Sequence, residues 1–296
     1  MFLIIHNPLS NNKKSKKTTN KIVKFFKRHS VPFMLRSTLK IENLNEFLDK
    51  NQKITDILYL GGDGSINYLI NHVDISNIKQ NIYLAKSGSG NDFLKSLSRI
   101  NSGNITITKA ITNNGEFNFI NGCGIGIDSL ICHYVDKDEK KGKLSYLINF
   151  FRAIIKYQRR NFDVIVDGTK HHFEKGYFVV VQNGKFFGGG MKIAPFADIT
   201  DDNLVVVIAH NLNNFIVQLL FVTIYLGWHR FIKKRITFLK GKEITIKTKD
   251  RYYFQTDGEI LSDISEITIK KVMSKEFYAF KRNKFKRHVF KKFHSN

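Results

Sequence analysis

Several things are scarce in this chain of 296 residues, and each shortage narrows the reading. There are two cysteines, Cys123 and Cys132, with no metal-ligand spacing around them. That argues against a disulfide framework, fits a reducing compartment, and leaves both as small apolar residues for a core. No apolar run reaches the roughly 20 residues that a membrane-spanning helix needs. The longest, Phe215 to Trp228, is interrupted by Gln218 and Thr223 and reads as a buried core helix. The first apolar run, Met1 to Ile5, is too short for a signal peptide, leads into a turn at Asn7-Pro8, and reads as a first strand. No Walker A sequence, no dinucleotide Gly-x-Gly-x-x-Gly fingerprint and no protein-kinase catalytic loop is present, so the common nucleotide folds are not supported. Acidic residues are few, 25 against 48 Lys and Arg, for a formal charge of +23. Such a charge predicts attraction to a polyanion, and both nucleic acid and an anionic membrane qualify, although a lysine-rich genome would produce the same excess.

What is present reads as two domains, since the length exceeds the usual size of one core. The first part alternates strand and helix. Phe2 to His6, Phe33 to Ser37, Ile57 to Leu60 and Ile82 to Ala85 read as strands. Lys17 to His29, the Ile41 to Leu48 stripe, the segment carrying Ile66, Leu69 and Ile70, and Asp92 to about Leu97 read as helices. Alternation of this kind implies a parallel sheet covered on both faces, with ligands at the carboxyl ends of the strands. After about Gly115 the texture turns to short β-rich runs, Asn118 to Asp128, Asp163 to Val166, Tyr177 to Gln182, Leu204 to Ala209, Glu243 to Thr248 and Ile267 to Val272. They imply a mostly antiparallel second domain, interrupted by one helical pattern, Ser145 to Tyr157, and by the apolar helix from Phe215.

Two glycine-rich turns follow strands and precede helices. In Gly61-Gly62-Asp63-Gly64-Ser65 the glycines let backbone N–H groups approach a phosphate at a helix N-terminus, and Asp63 suits a magnesium ion or a ribose. Ordinary turn chemistry explains Gly-Asp-Gly as well. In Ser87-Gly88-Ser89-Gly90-Asn91-Asp92-Phe93 the setting is the same, with Asn91 or Asp92 available as a helix N-cap.

These two turns belong to a longer ordered series. Asn7-Pro8, the two glycine turns, Asn121-Gly-Cys-Gly-Ile-Gly-Ile-Asp128, Gly188-Gly-Gly190 with Ala194-Pro195, Asp201-Asp202, Gly227-Trp228-His229 and Asp257-Gly258-Glu259 span nearly the whole chain. In that order they resemble the diacylglycerol kinase catalytic family, of the soluble bacterial lipid kinase type. The resemblance implies an α/β plus all-β architecture: an N-terminal parallel-sheet nucleotide-binding domain over 1–115, and a C-terminal, mostly antiparallel β-sandwich domain for the lipid over 116–275. Residues 276–296 would pack back on the first domain.

The resemblance further implies ATP-dependent phosphorylation of diacylglycerol to phosphatidic acid, with ATP between the domains. Asn7, Ser10, Thr38, Gly62, Asp63, Gly64, Ser65, Asn67, Ser89, Asn91 and Asp92 would surround the nucleotide. Asp63 would organise phosphate and magnesium, and Glu259 would be the general base. A structural Mg2+ would be held by Asp202 and the main-chain carbonyls of Ile199 and Leu204, oxygen ligands of the kind magnesium takes. A hairpin turn explains Asp-Gly-Glu equally well in local terms. Four departures from the family pattern stand out: Ser65 and Ser89 where Thr is commoner, which keep the hydroxyl, Lys95 for Arg, and Asn203 for Gly.

From Lys281 onward the chain carries Lys281, Arg282, Lys284, Lys286, Arg287, Lys291 and Lys292 without an acid, while Phe285, Val289, Phe290 and Phe293 recur at helical spacing. This basic amphipathic segment suits either an anionic membrane surface or a helix packed on the first domain. The expected partners are diacylglycerol or a similar lipid and an anionic membrane, with no nucleic acid and with a homodimer admissible. The expected location is the cytoplasm, peripherally on the inner membrane face. A kinase of another lipid alcohol or of NAD is the near alternative. A basic nucleic-acid-binding protein is the distant one, and it leaves the ordered glycine motifs unexplained.

Overall fold

A computed structural model describes residues 1–8, 12–88, 90–138, 143–280 and 282–294. The chain divides into two units, residues 1–105 with 274–296, and residues 106–273. The divisions at 105 and 273 fall inside two long strands, where the change of sequence texture had suggested 115 and 275.

In the first unit, β1 (Phe2–His6), β2 (Phe33–Ser37), β3 (Asp56–Gly61) and β4 (Asn81–Lys86) form a parallel array in the order β2-β1-β3-β4. Helices α1 (Asn12–Arg28), α2 (Leu44–Asp49), α3 (Asp63–His72) and α4 (Asp92–Ile100) connect them or follow them. Every residue of β3 is buried, which explains its unbroken apolar run: a strand covered on both faces has no polar alternation. Helix α4 follows the helical period, with Phe93, Leu94 and Leu97 buried on one stripe.

The second unit is antiparallel and β-rich. Strands β5 (Ser102–Thr112) and β6 (Gly115–Phe119) form a hairpin, and β7 (Gly122–Gly126) leads into α5 (Ile127–Asp136) and α6 (Lys143–Lys156). Then come β8 (Arg160–Val166), β9 (Thr169–Gln182), β10 (Leu204–His210), α7 (Asn214–Leu226), a single 3-10 turn at Trp228–Phe231, β11 (Ile236–Gly241), β12 (Glu243–Thr256) and β13 (Glu259–Tyr278). Strand β7 lies between β9 and β12, and β10 joins β9 to β11. Side chains alternate across a strand. Val205, Val207 and Ala209 of β10 therefore pack with α6 and α7, while Leu204, Val206 and Ile208 pack with β8 and β12. A core on each face is why β10 reads Leu-Val-Val-Val-Ile-Ala without a polar residue.

Two elements depart from the sequence reading. Helix α5 begins where a β run was expected to continue to Asp128, because Gly126 takes φ 117° and turns the chain out of β7. Helix α7 is not a buried core helix. Val217, Leu220 and Ile224 are buried, whereas Leu219, Val222, Tyr225 and Leu226 are exposed. Only one of its faces has a core to meet.

The C-terminal helix α8 (Arg282–His294) belongs to the first unit. Phe285 and Val289 are buried with Phe2, Phe26 and Tyr83 and Phe293 packs against them, so these apolar positions of the basic tail are spent on packing, whereas Phe290 is exposed. Lys292 Nζ lies 2.5 Å from the buried Asp56 carboxylate, which also accepts from Asn81 at 3.0 Å. Lys281 lies outside the described residues.

Candidate active site

Parallel strands in register bring their carboxyl ends to one edge. His6 is level with Ser37 and Leu60, and Gly61 with Lys86. Asn7, Thr38, Gly62 and Ser87, the next residues along, are thereby gathered at the same end of the sheet. The chain leaves β1 for β2 on one side, and β3 lies on the other, so the connections after β1 and β3 diverge. Such a divergence opens the crevice in which open α/β sheets bind ligands.

The two glycine turns interlock there. Asp63 N donates to Gly90 O at 3.1 Å and Ser87 N to Gly61 O at 3.0 Å. A methyl group at Gly62 would sit 2.4 Å from the Gly90 carbonyl oxygen, so this position requires glycine on steric grounds alone. Gly64 is the opposite case: it is exposed, and a methyl group there would meet nothing within 4 Å. Open space beside the start of α3 is where backbone N–H groups and the helix dipole favour an anion.

The Asp63 carboxylate accepts from the backbone N–H of Asp92 at 2.7 Å and of Phe93 at 3.1 Å. The N-cap of α4 thus comes from a loop 29 residues earlier, not from Asn91 or Asp92. Asp92 is buried, and Asn91 instead closes its own turn by donating Nδ2 to Gly88 O at 2.9 Å. Asp63 is a brace between the two turns, with both of its oxygens used on N–H groups.

Around these turns Ser65 presents its carbonyl to Tyr59 OH at 3.0 Å, and Asn67 accepts from Asn71 through both its main chain and its side chain. Thr38 opens a 3-10 turn after β2 and is half-buried. Ser10 and Ser89 lie outside the described residues. Two residues outside the expected set join this edge. Ser15 Oγ of α1 and Ser87 Oγ are buried 3.0 Å apart, and Ser15 Oγ also donates to Asn7 O at 3.4 Å. A hydroxyl pair tying α1 to both loops leaves no trace in a sequence read locally.

In the second unit, Asp257 and Gly258 form a two-residue hairpin turn between β12 and β13, with φ 48° and 94°. Left-handed φ at both positions is the Asp-Gly hairpin signature. The Asp257 carboxylate accepts from the N–H of Ile120 (2.9 Å), Asn121 (2.9 Å) and Gly122 (3.1 Å), and Asp257 N donates to Gly122 O (2.9 Å). Glu259, directly after the turn, is exposed, and among the described residues no group holds its carboxylate.

Behind the turn lies a buried polar cluster that the sequence reading did not assign. Gln255 Oε1 accepts from Gly258 N at 3.0 Å and its Nε2 donates to Asp128 Oδ2 at 3.2 Å. The Gly258 N–H fixes the amide's orientation, since only the oxygen can accept it. Burial pushes the Asp128 carboxyl up to about 7, opposed by the bond from Gln255. Gln182, fully buried, fills the space over Gly122, where a methyl group would meet its amide at 2.1 Å. A methyl group on Gly124 would lie 2.5 Å from Asp128 Oδ2. Gly122 and Gly124 of Asn121-Gly-Cys-Gly-Ile-Gly-Ile-Asp128 thus make room for buried polar side chains, whereas Gly126 is held by the Tyr177 carbonyl, 2.3 Å from where a methyl group would stand.

Among the described residues no group of three or more His, Cys, Asp and Glu side chains is gathered for a metal. The loop before β10 offers a different donor set. Asp198 Oδ1 is taken by Thr200, and Asp201 is taken by Asn203 and by Lys240 Nζ at 2.5 Å, which hold its carboxyl far below the usual range. Asp202 is exposed, and its charge is among those that act on the nearby Lys271. In chemistry, one carboxylate with the main-chain carbonyls of Ile199 and Leu204 would be an all-oxygen set of the kind that magnesium takes. Lys271 Nζ donates to the Asp201 carbonyl beside it and answers part of the loop's charge. Further along, buried His229 bonds Ile193 O at 2.7 Å and anchors the Gly227-Trp228-His229 turn, a structural use of that motif.

Both units match known protein families. Residues 1–118 match the family model described as "Diacylglycerol kinase catalytic domain", and residues 122–272 that described as "YegS C-terminal NAD kinase beta sandwich-like domain". Among curated proteins, "Putative lipid kinase YtlR" of Bacillus subtilis (strain 168) is 26% identical over 239 residues, covering 71% of this chain and 75% of that one. "Putative lipid kinase SAB0675c" of Staphylococcus aureus (strain bovine RF122 / ET3-1) is 26% identical over 243 residues, covering 74% and 76%. In fold, the chain is similar to the "Crystal structure of a putative diacylglycerol kinase from Bacillus anthracis str. Sterne", with TM-score 0.71, 21% identity and coverage of 95% and 97%. The second family model alone spans more than half of the chain. With the catalytic model preceding it, the chain belongs to the diacylglycerol kinase family of lipid kinases and is a phosphotransferase of that type.

Proposed function

We propose that the chain transfers the γ-phosphoryl group of ATP to the free hydroxyl of diacylglycerol, giving phosphatidic acid and ADP. The observation that carries this reading is the convergence of Asn7, Thr38, the Gly62 to Asn67 segment and the Asn91 turn at the carboxyl edge of one parallel sheet. The N–H groups at the start of α3 and the bare Gly64 receive the phosphates. Asp63 holds the two turns at fixed separation and acts by positioning. Glu259 accepts the proton of the lipid hydroxyl as its oxygen bonds to the γ-phosphorus and the bond to the β–γ bridging oxygen breaks. Magnesium, when bound, neutralises phosphate charge; Asp202 with the carbonyls of Ile199 and Leu204 is proposed to hold a structural ion of the same kind in the second unit.

The test is transfer of labelled phosphate from ATP in mixed micelles across diacylglycerol, other lipid alcohols and NAD. Label is expected in phosphatidic acid. Glu259→Gln is expected to lower kcat by about 10²–10⁴-fold with an unchanged melting temperature. An unaltered rate in that variant overturns the base assignment, and label in NADP alone overturns the lipid substrate.

A further inference from the structure

The basic tail buries Phe285 and Val289 in the first unit and leaves Phe290 exposed, whereas the second unit leaves a longer series of apolar side chains uncovered. Helices α6 and α7 both turn one face into the same core, through Phe150, Ala153 and Ile154 on the one and Val217, Leu220 and Ile224 on the other. Their opposite faces carry Ile148, Phe151 and Ile155, the last 81% exposed, and Val222, 61% exposed. The 3-10 turn after α7 adds Trp228 at 58% and Phe231 at 66%. Ile148, Phe151 and Ile155 are spaced three and four apart, so they form one stripe rather than scattered exposures. Exposed apolar residues that cluster in this way mark an interaction site.

Charge selects the occupant. No Asp or Glu occurs between Glu139 and Asp163, or between Asp202 and Glu243, the two stretches that supply α6, α7 and the turn. Within them stand Arg152 and Lys156, exposed beside the α6 stripe, and Arg230, Lys233 and Lys234 just after α7. Apolar side chains rimmed by cations without an acid fit an anionic lipid surface, where the former insert and the latter meet headgroups. The fit is to a surface on which the face would lie, not to a bilayer that it would cross. At 13 residues α7 is about 20 Å long against a hydrocarbon core of about 30 Å, and no described helix is long and apolar enough to span.

We propose that the outward face of α6, α7 and the Trp228–Phe231 turn docks this protein on an anionic bilayer. The proposal gives the lipid-kinase reading its route to a bilayer substrate and rests on that reading for its purpose, but binding is measured without ATP, so the two fail separately. Trp228 is the single tryptophan of the chain, which makes the face self-reporting. With vesicles of phosphatidylcholine and phosphatidylglycerol, its emission is expected to shift to the blue and to be quenched by lipids brominated in the acyl chain. Pure phosphatidylcholine is expected to bind far less. Ile155→Asp, Val222→Asp and Phe231→Asp, all at exposed positions, are each expected to weaken co-sedimentation about tenfold with unchanged melting temperature. Turnover of a short-chain diacylglycerol in solution is expected to stay at the parental rate. Three outcomes overturn the proposal: co-sedimentation without a Trp228 shift; loss of binding in Arg287→Glu/Lys291→Glu of α8 but not in the Asp variants; or a blue shift that follows protein concentration without vesicles, which makes the face a contact between copies.

Discussion

The glycine turns of the first unit and the Asp257 hairpin of the second are built on the same device. In each, an aspartate in a glycine-containing turn gives its carboxylate to backbone N–H groups of another segment: Asp63 to Asp92 and Phe93, Asp257 to Ile120, Asn121 and Gly122. A carboxylate accepting several N–H groups makes charge-assisted bonds and locks two loops together. The regions differ in what is left over. The hairpin places a second carboxylate, Glu259, exposed directly after its turn. The first-unit turn has no such spare acid and offers N–H groups and space at Gly64. On the proposed reading, one region receives negative charge and the other supplies it. A carboxylate next to a glycine is therefore not by itself a sign of chemistry; its hydrogen-bond partners decide.

Breaking the two braces tests this contrast. Asp257→Ala strips three N–H groups of their acceptor and puts a non-glycine residue without a stabilising side chain at φ 48°, so a loss of about 3 kcal/mol or more is expected from urea denaturation. Asp63→Ala removes a cap with two N–H partners, and the expected cost is about 2 kcal/mol, with activity falling because the two glycine turns separate. Glu259→Gln, by contrast, is expected to leave the midpoint unmoved. If Asp63→Ala keeps full stability and loses only activity, the brace is not its role and direct contact with phosphate or metal is.

Asp128 distinguishes the regions by pH. Its carboxyl is raised by burial from the ordinary value of 3.8 to about 7. Between about pH 4 and pH 7 the folded chain keeps the proton that the unfolded chain has lost. The native state then binds more protons, so stability falls as pH rises through this window, by up to about 1.4 kcal/mol per pH unit, and is level above it. Asp128→Asn keeps an acceptor for Gln255 and removes the titration. Urea midpoints of this variant are expected to improve relative to the parent between about pH 5 and pH 7. A gap that does not change with pH means that Asp128 is ionised throughout.

Much of this was legible in the residues, and what was hidden was nonlocal. The alternation of apolar runs and glycine turns places Asn7, Thr38 and Gly62 at strand ends, because each strand-turn-helix unit is encoded within a few residues. The Asp63 cap on α4 was invisible for the converse reason: acceptor and donors are 29 residues apart. Gln255, behind the hairpin, is part of the site only through Gly258 and Asp128. Helix α5 was read through as strand because its start depends on the φ of Gly126, which composition does not reveal. The exposure of α7 was masked by its strong apolarity, since Gln218 and Thr223 break the run too little to show which face the core will cover.

The smallest effect separates two reasons for a glycine within one turn. Gly62 is held by sterics, with the Gly90 carbonyl 2.4 Å from where a methyl group would stand, so alanine there must push the two turns apart. Gly64 has no such neighbour and lies in the first turn of α3. Glycine in a helix is less favourable than alanine by up to about 1 kcal/mol, so on packing grounds Gly64→Ala is expected to raise stability by about 0.5 kcal/mol. On the proposed reading, the bare Cα of Gly64 leaves room for the phosphates of ATP. A raised melting temperature together with an increased KM for ATP is the expected result, and a raised melting temperature with KM unchanged would place the phosphates elsewhere along the strand ends.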